Sequence, residues 1–205
     1  MPETLTIADV QRDPSLIAAR ISNPFGLELT FRPLAPTDGA ILGAYFIGLS
    51  ADTTQRYGPH PFDQVTADAF CAKIDFNEAI RMIASLPGAE GEQVIAYFIL
   101  QLDVPQGERD RYAAAGISVD PQMGCIIAPS VADAYQNHGI GTPLMQHIFD
   151  CARRLGRKYI LLNGGVYVTN ERARHYYEKN GFRQVRLFEG PPGSGKFSYD
   201  MWRDL

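Results

Sequence analysis

Two stretches of this 205-residue chain combine residue types and spacings that could do chemistry. The first is Tyr135-Gln136-Asn137-His138-Gly139-Ile140-Gly141-Thr142-Pro143-Leu144. An apolar run, Cys125 to Val131, leads into it. Ile140, Leu144, Ile148 and Leu155 then recur at helical spacing until Gly156 ends the pattern. A strand, a glycine turn and a helix start present backbone N–H groups with no partner inside the helix, at the positive end of its dipole. Gly139 and Gly141 would let a phosphate approach that backbone with no Cβ in the way. The Q-x-x-G-x-G pattern is short, and a tight strand-to-helix turn needs the same glycines. Alone, the stretch reads as a diphosphate loop or as such a turn.

The second stretch is Asn170-Glu171-Arg172-Ala173-Arg174-His175-Tyr176-Tyr177-Glu178-Lys179-Asn180-Gly181-Phe182. It reads as a helix from Asn170 to about Lys179, closed by Asn180-Gly181. Ala173 and Tyr177 share a face at i, i+4, so a phenol projects into room left by a small residue. Tyr176 points about 100° away and reads as a packing residue.

The elements that must position these stretches follow from periodicity. Leu27 to Leu34 alternates as a half-buried strand, a helix covers about Asp38 to Leu49, and Ser50 to Pro61 is polar. A helix is expected over Thr66 to Asp75 with Thr66 as N-cap. A strand over Ile80 to Leu86 ends in the turn cluster Pro87 to Gly91, and Val94 to Leu102 reads as a buried central strand. Asp103 to Met123 is polar and irregular, with a charged knot at Glu108-Arg109-Asp110-Arg111. Lys158 to Thr169 is strand-like but carries Gly164-Gly165, a sign of a bulge or of close approach by another backbone or ligand. Phe182 to Phe188 and Lys196 to Trp202 form two last strands. Residues 1–26 read as an N-terminal extension with a short helix over Ser15 to Ile21 and no chemistry. Residues 27–205 read as one mixed α/β (α+β) domain, a mixed sheet of about seven strands flanked by about four helices.

Composition narrows the function. Net charge is −4 and no basic stripe interleaves with aromatics, so nucleic acid is not an expected partner. Cys71, Cys125 and Cys151 are odd in number and widely spaced, which fits core packing rather than a disulfide framework or a metal cluster. No leader pattern and no uninterrupted run of 18 apolar residues occurs, so a cytoplasmic protein with no membrane partner is expected.

Taken together, Q-N-H-G-I-G-T-P-L, N-E-R-A-R-H-Y-Y-E-K-N-G-F and the order of elements around them resemble the GNAT (Gcn5-related) N-acetyltransferase superfamily. F-R-P-L before the first helix and D-F-N-E-A-I before the second strand fit as well. The resemblance covers about residues 27 to 204. It implies a GNAT-type domain that takes acetyl-CoA as donor, needs no metal, and acetylates a primary amine on a small molecule or a protein N-terminus, with a homodimer allowed. By resemblance, Asn137, His138, Gly139, Ile140, Gly141 and Thr142 hold the pyrophosphate through backbone N–H groups. Pro129, Ser130 and Val131 end the strand that binds the pantetheine arm. Asn170 contacts the pantetheine region, and Tyr177 is the acid that protonates the departing thiolate.

The acceptor side departs from the family pattern. Members often place a carboxylate on one of two strands that here read C-I-I-A-P-S-V and Y-I-L-L-N-G-G-V-Y-V-T, without Asp or Glu. His60, His138, Asp133 and His175 are the remaining candidates for a base, none of them compelling. Water-mediated deprotonation, or an acceptor that arrives neutral, is equally open. The missing carboxylate also motivates an alternative, a non-catalytic acyl-CoA-binding or regulatory module. Gly190-Pro191-Pro192-Gly193-Ser194-Gly195-Lys196 matches most of a nucleotide P-loop, but Phe197 replaces the required hydroxyl and a strand pattern follows.

Overall fold

A computed structural model describes residues 4–88, 91–190 and 193–205. The chain runs α1 (Ile7–Arg12), β1 (Ala19–Ser22), β2 (Glu28–Pro33), α2 (Gly39–Ile47), α3 (Ala51–Arg56), α4 (Gln64–Ala72), β3 (Ile80–Gly88), β4 (Gly91–Gln101), α5 (Gln106–Ala113) and β5 (Gly124–Val131). It continues through α6 (Gly141–Arg154), β6 (Tyr159–Leu162), β7 (Val166–Tyr167), α7 (Glu171–Lys179), β8 (Arg183–Glu189) and β9 (Phe197–Asp204). The strands form a nine-stranded sheet in the order β1-β2-β3-β4-β5-β6-β9-β7, with β8 also on β9. Every pairing is antiparallel except β5–β6.

The central strands are buried on both faces, which explains why β4 and β5 read as unbroken apolar runs. Phe98, Leu100 and Ile127 face one core together with α6, whose Leu144, Ile148 and Phe149 are fully buried. Tyr97, Ile99 and Ala128 face a second core under α2 and α4, against Tyr45 and Phe46. A third cluster joins Tyr112 of α5 to Tyr159 and Trp202, whose rings stack at 4.0 Å. No helix among the described residues is long and apolar enough to cross a membrane.

The fold exceeds the expected count, with nine strands and seven α-helices among the described residues. Four of the added elements, α1, β1, α3 and α5, come from stretches read as extension or polar segments. In residues 4–26, α1 carries a Thr6/Asp9 capping box, and Leu5, Val10 and Ile17 are buried in the α6 core. The expected helix over Ser15 to Ile21 is instead a single 3₁₀ turn, Pro14–Ile17, followed by β1 on β2. Asp13 caps that turn and Pro14 opens it, but Arg20 and Ile21 gain ladder bonds only as a strand.

Asp103 to Met123 is not irregular: it contains α5. Ser50 to Pro61 contains α3, capped by the Ser50 side chain. The N-cap of α4 is Asp63 rather than Thr66, because the Asp63 carboxylate accepts the Thr66 N–H at 2.7 Å. The run from Lys158 to Thr169 splits at Gly164-Gly165, which take φ of 68° and 71°. A Cβ at Gly165 would lie 2.6 Å from the Tyr199 carbonyl, so the close backbone approach is real. The P-loop-like segment is followed by β9, not a helix; its Pro191 and Pro192, like Ala89 and Glu90 of the earlier turn cluster, lie outside the described residues.

Candidate active site

The site begins where the one parallel pair of strands separates. β5 and β6 stay in register from Gly124↔Tyr159 to Ile127↔Leu162, and the Asn163 N–H donates to the Ile127 carbonyl at 3.1 Å. Beyond that bond β6 turns away through Asn163-Gly164-Gly165 while β5 runs on to Val131. Alternation along β5 then directs residues 129 and 131 toward the gap, since Ile127 faces β6 and the Ala132 N–H bonds Ile95 of β4. Gln136 donates its amide to the Val131 carbonyl at 2.9 Å. A cleft of about 910 Å³ fills the gap and extends past the helix start of α6.

The glycine loop lies along this cleft. Asn137 and Gly139 are left-handed, with φ of 63° and 68°, and Gly141 opens α6 with no side-chain cap. The N–H groups from Asn137 to Thr142 meet no protein acceptor among the described residues. They form a row of free donors at the positive end of a 14-residue helix. The loop is fixed from outside. Asn23, buried ahead of β2, donates its amide to the His138 carbonyl at 2.9 Å and accepts the N–H groups of Phe25 and Leu27. Tyr176 donates its hydroxyl to the Gly141 carbonyl at 2.8 Å, and a Cβ on Gly141 would sit 3.0 Å from its ring.

Pro129, Ser130, Val131, Asn137, Gly139, Ile140, Gly141, Thr142, Asn170 and Tyr177 all line the cleft. His138 does not: its carbonyl is held by Asn23, and its Nδ1 lies 2.8 Å from the Gln136 carbonyl. Ser130 reaches the cleft, but its hydroxyl lies 2.8 Å from the Tyr45 hydroxyl and donates to the Tyr97 carbonyl, away from the gap. Asn170 caps α7 by accepting the Ala173 N–H at 3.2 Å. Tyr177 packs edge-on to Phe182, and its hydroxyl has no partner among the described residues. Burial pushes that phenol above its ordinary value, so it stays protonated at neutral pH.

The candidate bases separate. Asp133 is committed elsewhere: its carboxylate accepts the Ser50 N–H and the hydroxyls of Ser50 and Thr53 at 2.7–2.9 Å. Burial opposes its ionisation, but these hydrogen bonds outweigh it and hold the carboxyl below the usual range. His60 sits among Phe46, Phe62, Phe70 and Tyr97, and burial lowers its pKa; it does not line the cleft. His175 does line it, from the exposed side of α7. Among the described lining residues there is no Asp or Glu, while Arg56, Arg172 and Lys179 are present.

Sequence reasoning missed the supports on both sides. Besides Asn23, Tyr57, which lines the cleft, donates its hydroxyl to the Ala128 carbonyl of β5 at 2.9 Å. From α5, Glu108 accepts the Gly164 N–H and is bridged by Arg111, whose Nε donates to Asp200 of β9 at 2.7 Å. The i, i+3 spacing of Glu108 and Arg111 was a usable helix signal.

The family model for the GNAT acetyltransferase family matches residues 49–182. The chain belongs to this family. Solved structures agree on the fold. The GNAT domain of S. lividans PAT superposes with a TM-score of 0.72 at 21% identity, covering 94% of this chain and 99% of that one. The aminoglycoside acetyltransferase AAC(6')-Ib in complex with coenzyme A and kanamycin gives 0.62 at 19% identity, covering 86% and 94%. A putative phosphinothricin N-acetyltransferase gives 0.57 at 16%, covering 86% and 98%. No curated protein matches the chain in sequence.

Proposed function

We propose that this GNAT member is an acetyl-CoA-dependent N-acetyltransferase that acetylates a primary amine by direct attack on the thioester. The observation that carries this reading is that one cleft holds a row of free N–H donors at a helix start and an unpartnered, protonated phenol beside a gap in the sheet. The N–H groups of Asn137 to Thr142 bind the pyrophosphate. The open groups of β5, the Pro129 carbonyl and the Val131 N–H, bind the extended arm. Asn170 fixes the start of α7 and so the position of Tyr177.

In the reaction the amine nitrogen forms a bond to the acetyl carbonyl carbon and the carbon–sulfur bond breaks. Tyr177 meets the leaving thiolate with its O–H. With its pKa raised, the phenol is a weaker acid than a thiol of pKa ~8.5, so it stabilises the thiolate as a hydrogen-bond donor ahead of any full transfer. No carboxylate lines the cleft among the described residues, which supports an amine that sheds its proton to water or arrives neutral. The same charge balance disfavours a polycationic acceptor like kanamycin and supports an acceptor with a single amine.

Mixing the protein with acetyl-CoA and a panel of amines while recording thiol release tests this. Tyr177→Phe should lower turnover about 10²-fold without loss of fold. Gly141→Asp should abolish CoA binding by calorimetry, since it adds a Cβ against Tyr176 and a negative charge at the anion site. Unchanged affinity in that folded variant would sink the donor assignment. The missing carboxylate favours a second reading, a non-catalytic acyl-CoA-binding module; tight CoA binding without thiol release on any amine would establish it.

A further inference from the structure

The stretch just ahead of β2 holds an unexplained side chain. Phe25 is 77% exposed, one of the most exposed large apolar residues among those described, and it lines the cleft. It lies at the glycine loop. A Cβ on Gly139 would come within 3.1 Å of Pro24 and 3.5 Å of the Phe25 ring. Its position is fixed through the backbone, because Asn23 accepts the Phe25 N–H at 3.0 Å and donates to the His138 carbonyl. An exposed phenyl held by a buried anchor presents its ring surface without a packing role of its own. At the other glycine, Gly141, the loop is flanked by Tyr176, and Arg172, His175 and Lys179 line the cleft from the same helix at i, i+3 and i+7.

Phe25 and Tyr177 line the same cleft as the free N–H groups, Phe25 at Gly139. A ligand that seats a diphosphate on the loop and its thioester at the gap carries its nucleoside on the other side of the diphosphate, where Phe25 offers a face. An aromatic face beside phosphate-binding groups, with cations along the neighbouring helix, suits a purine base carrying a further phosphate. Resting on the donor reading above, we propose that Phe25 is the stacking surface for the adenine of the acyl donor. The N-terminal segment thereby supplies a donor-binding residue of its own.

The experiment titrates wild type, Phe25→Ala, Phe25→Trp and the control Val65→Ala with CoA and with 4′-phosphopantetheine, which lacks the nucleotide. Val65 is 78% exposed and lies off the cleft. The expected result is that Phe25→Ala weakens CoA about tenfold and leaves 4′-phosphopantetheine unchanged, while Phe25→Trp retains CoA affinity and Val65→Ala matches wild type. Circular dichroism and Tm should be unchanged, since the side chain is exposed. Equal weakening of both ligands, or full CoA affinity in Phe25→Ala, overturns the inference. Wild type that binds neither ligand overturns the donor reading itself, an outcome distinct from the first two.

Discussion

Glu108 accepts a hydrogen bond from the Gly164 N–H at 3.1 Å, joining α5 to the turn where β5 and β6 separate. Its other carboxylate oxygen pairs with Arg111, which also reaches Asp200 and stacks 4.3 Å over the Phe188 ring. Glu108→Ala leaves Arg111 short of a buried partner and should cost about 3 kcal/mol of stability. Glu108→Gln should cost less, because the amide oxygen can still accept from Gly164. Chemical denaturation measures both. Once an acceptor is known, Glu108→Ala should raise its KM more than it lowers kcat.

Asp200 is fully buried, and one of its oxygens has no partner among the described residues. Burial raises its pKa against the pull of Arg111. The folded state therefore holds this proton more tightly than the unfolded chain. The group's contribution is fully present below the ordinary carboxylate value of ~3.9 and is lost as pH rises through the raised folded value. Asp200→Asn does not titrate, so its stability relative to wild type should improve as pH rises through that window. Urea melts at several pH values give the difference; a flat difference would contradict the assignment.

Asp133 should behave with the opposite sign. Its folded pKa is lowered, so its contribution is present above ~3.9 and disappears as pH falls through the folded value. Asp133→Asn should therefore be less stable than wild type at pH 7, with the gap closing under acid. The same melts read it.

Asn23→Ala removes the amide that holds the His138 carbonyl and the acceptor of two backbone N–H groups. The expected loss is about 1–3 kcal/mol of stability. CoA affinity should fall several-fold, with kcat nearly unchanged. Calorimetry and steady-state kinetics separate the two effects.

What was legible in the sequence was whatever buries an apolar pattern. Ile140, Leu144, Ile148 and Leu155 are all buried along α6, Val94 to Leu102 is a central strand, and the Asn170 side chain caps α7. Asn137, Gly139, Ile140, Gly141, Thr142 and Tyr177 line one cleft, while His138 of the same loop does not. What escaped was structure held by polar contacts. α5 buries only Tyr112 and Glu108, and the Glu108–Arg111 pair turns inward, so it shows no apolar stripe. Asn23 makes long-range hydrogen bonds that follow no periodicity. The Thr6/Asp9 capping box was a readable helix start, but the helix after it is a turn and a half long and carries one buried residue.

The separation of β5 from β6 has a consequence for ligand choice. It leaves an edge strand inside a nine-stranded sheet, at residues 128–131, where edges otherwise lie at the rim. Open edges recruit other chains, and proteins commonly cover or charge them. Here the open edge faces into a cleft, where an extended chain bearing amides can pair with β5 as a strand would. Occupancy completes the hydrogen bonding of the sheet, so bound ligand should slow amide exchange along β5.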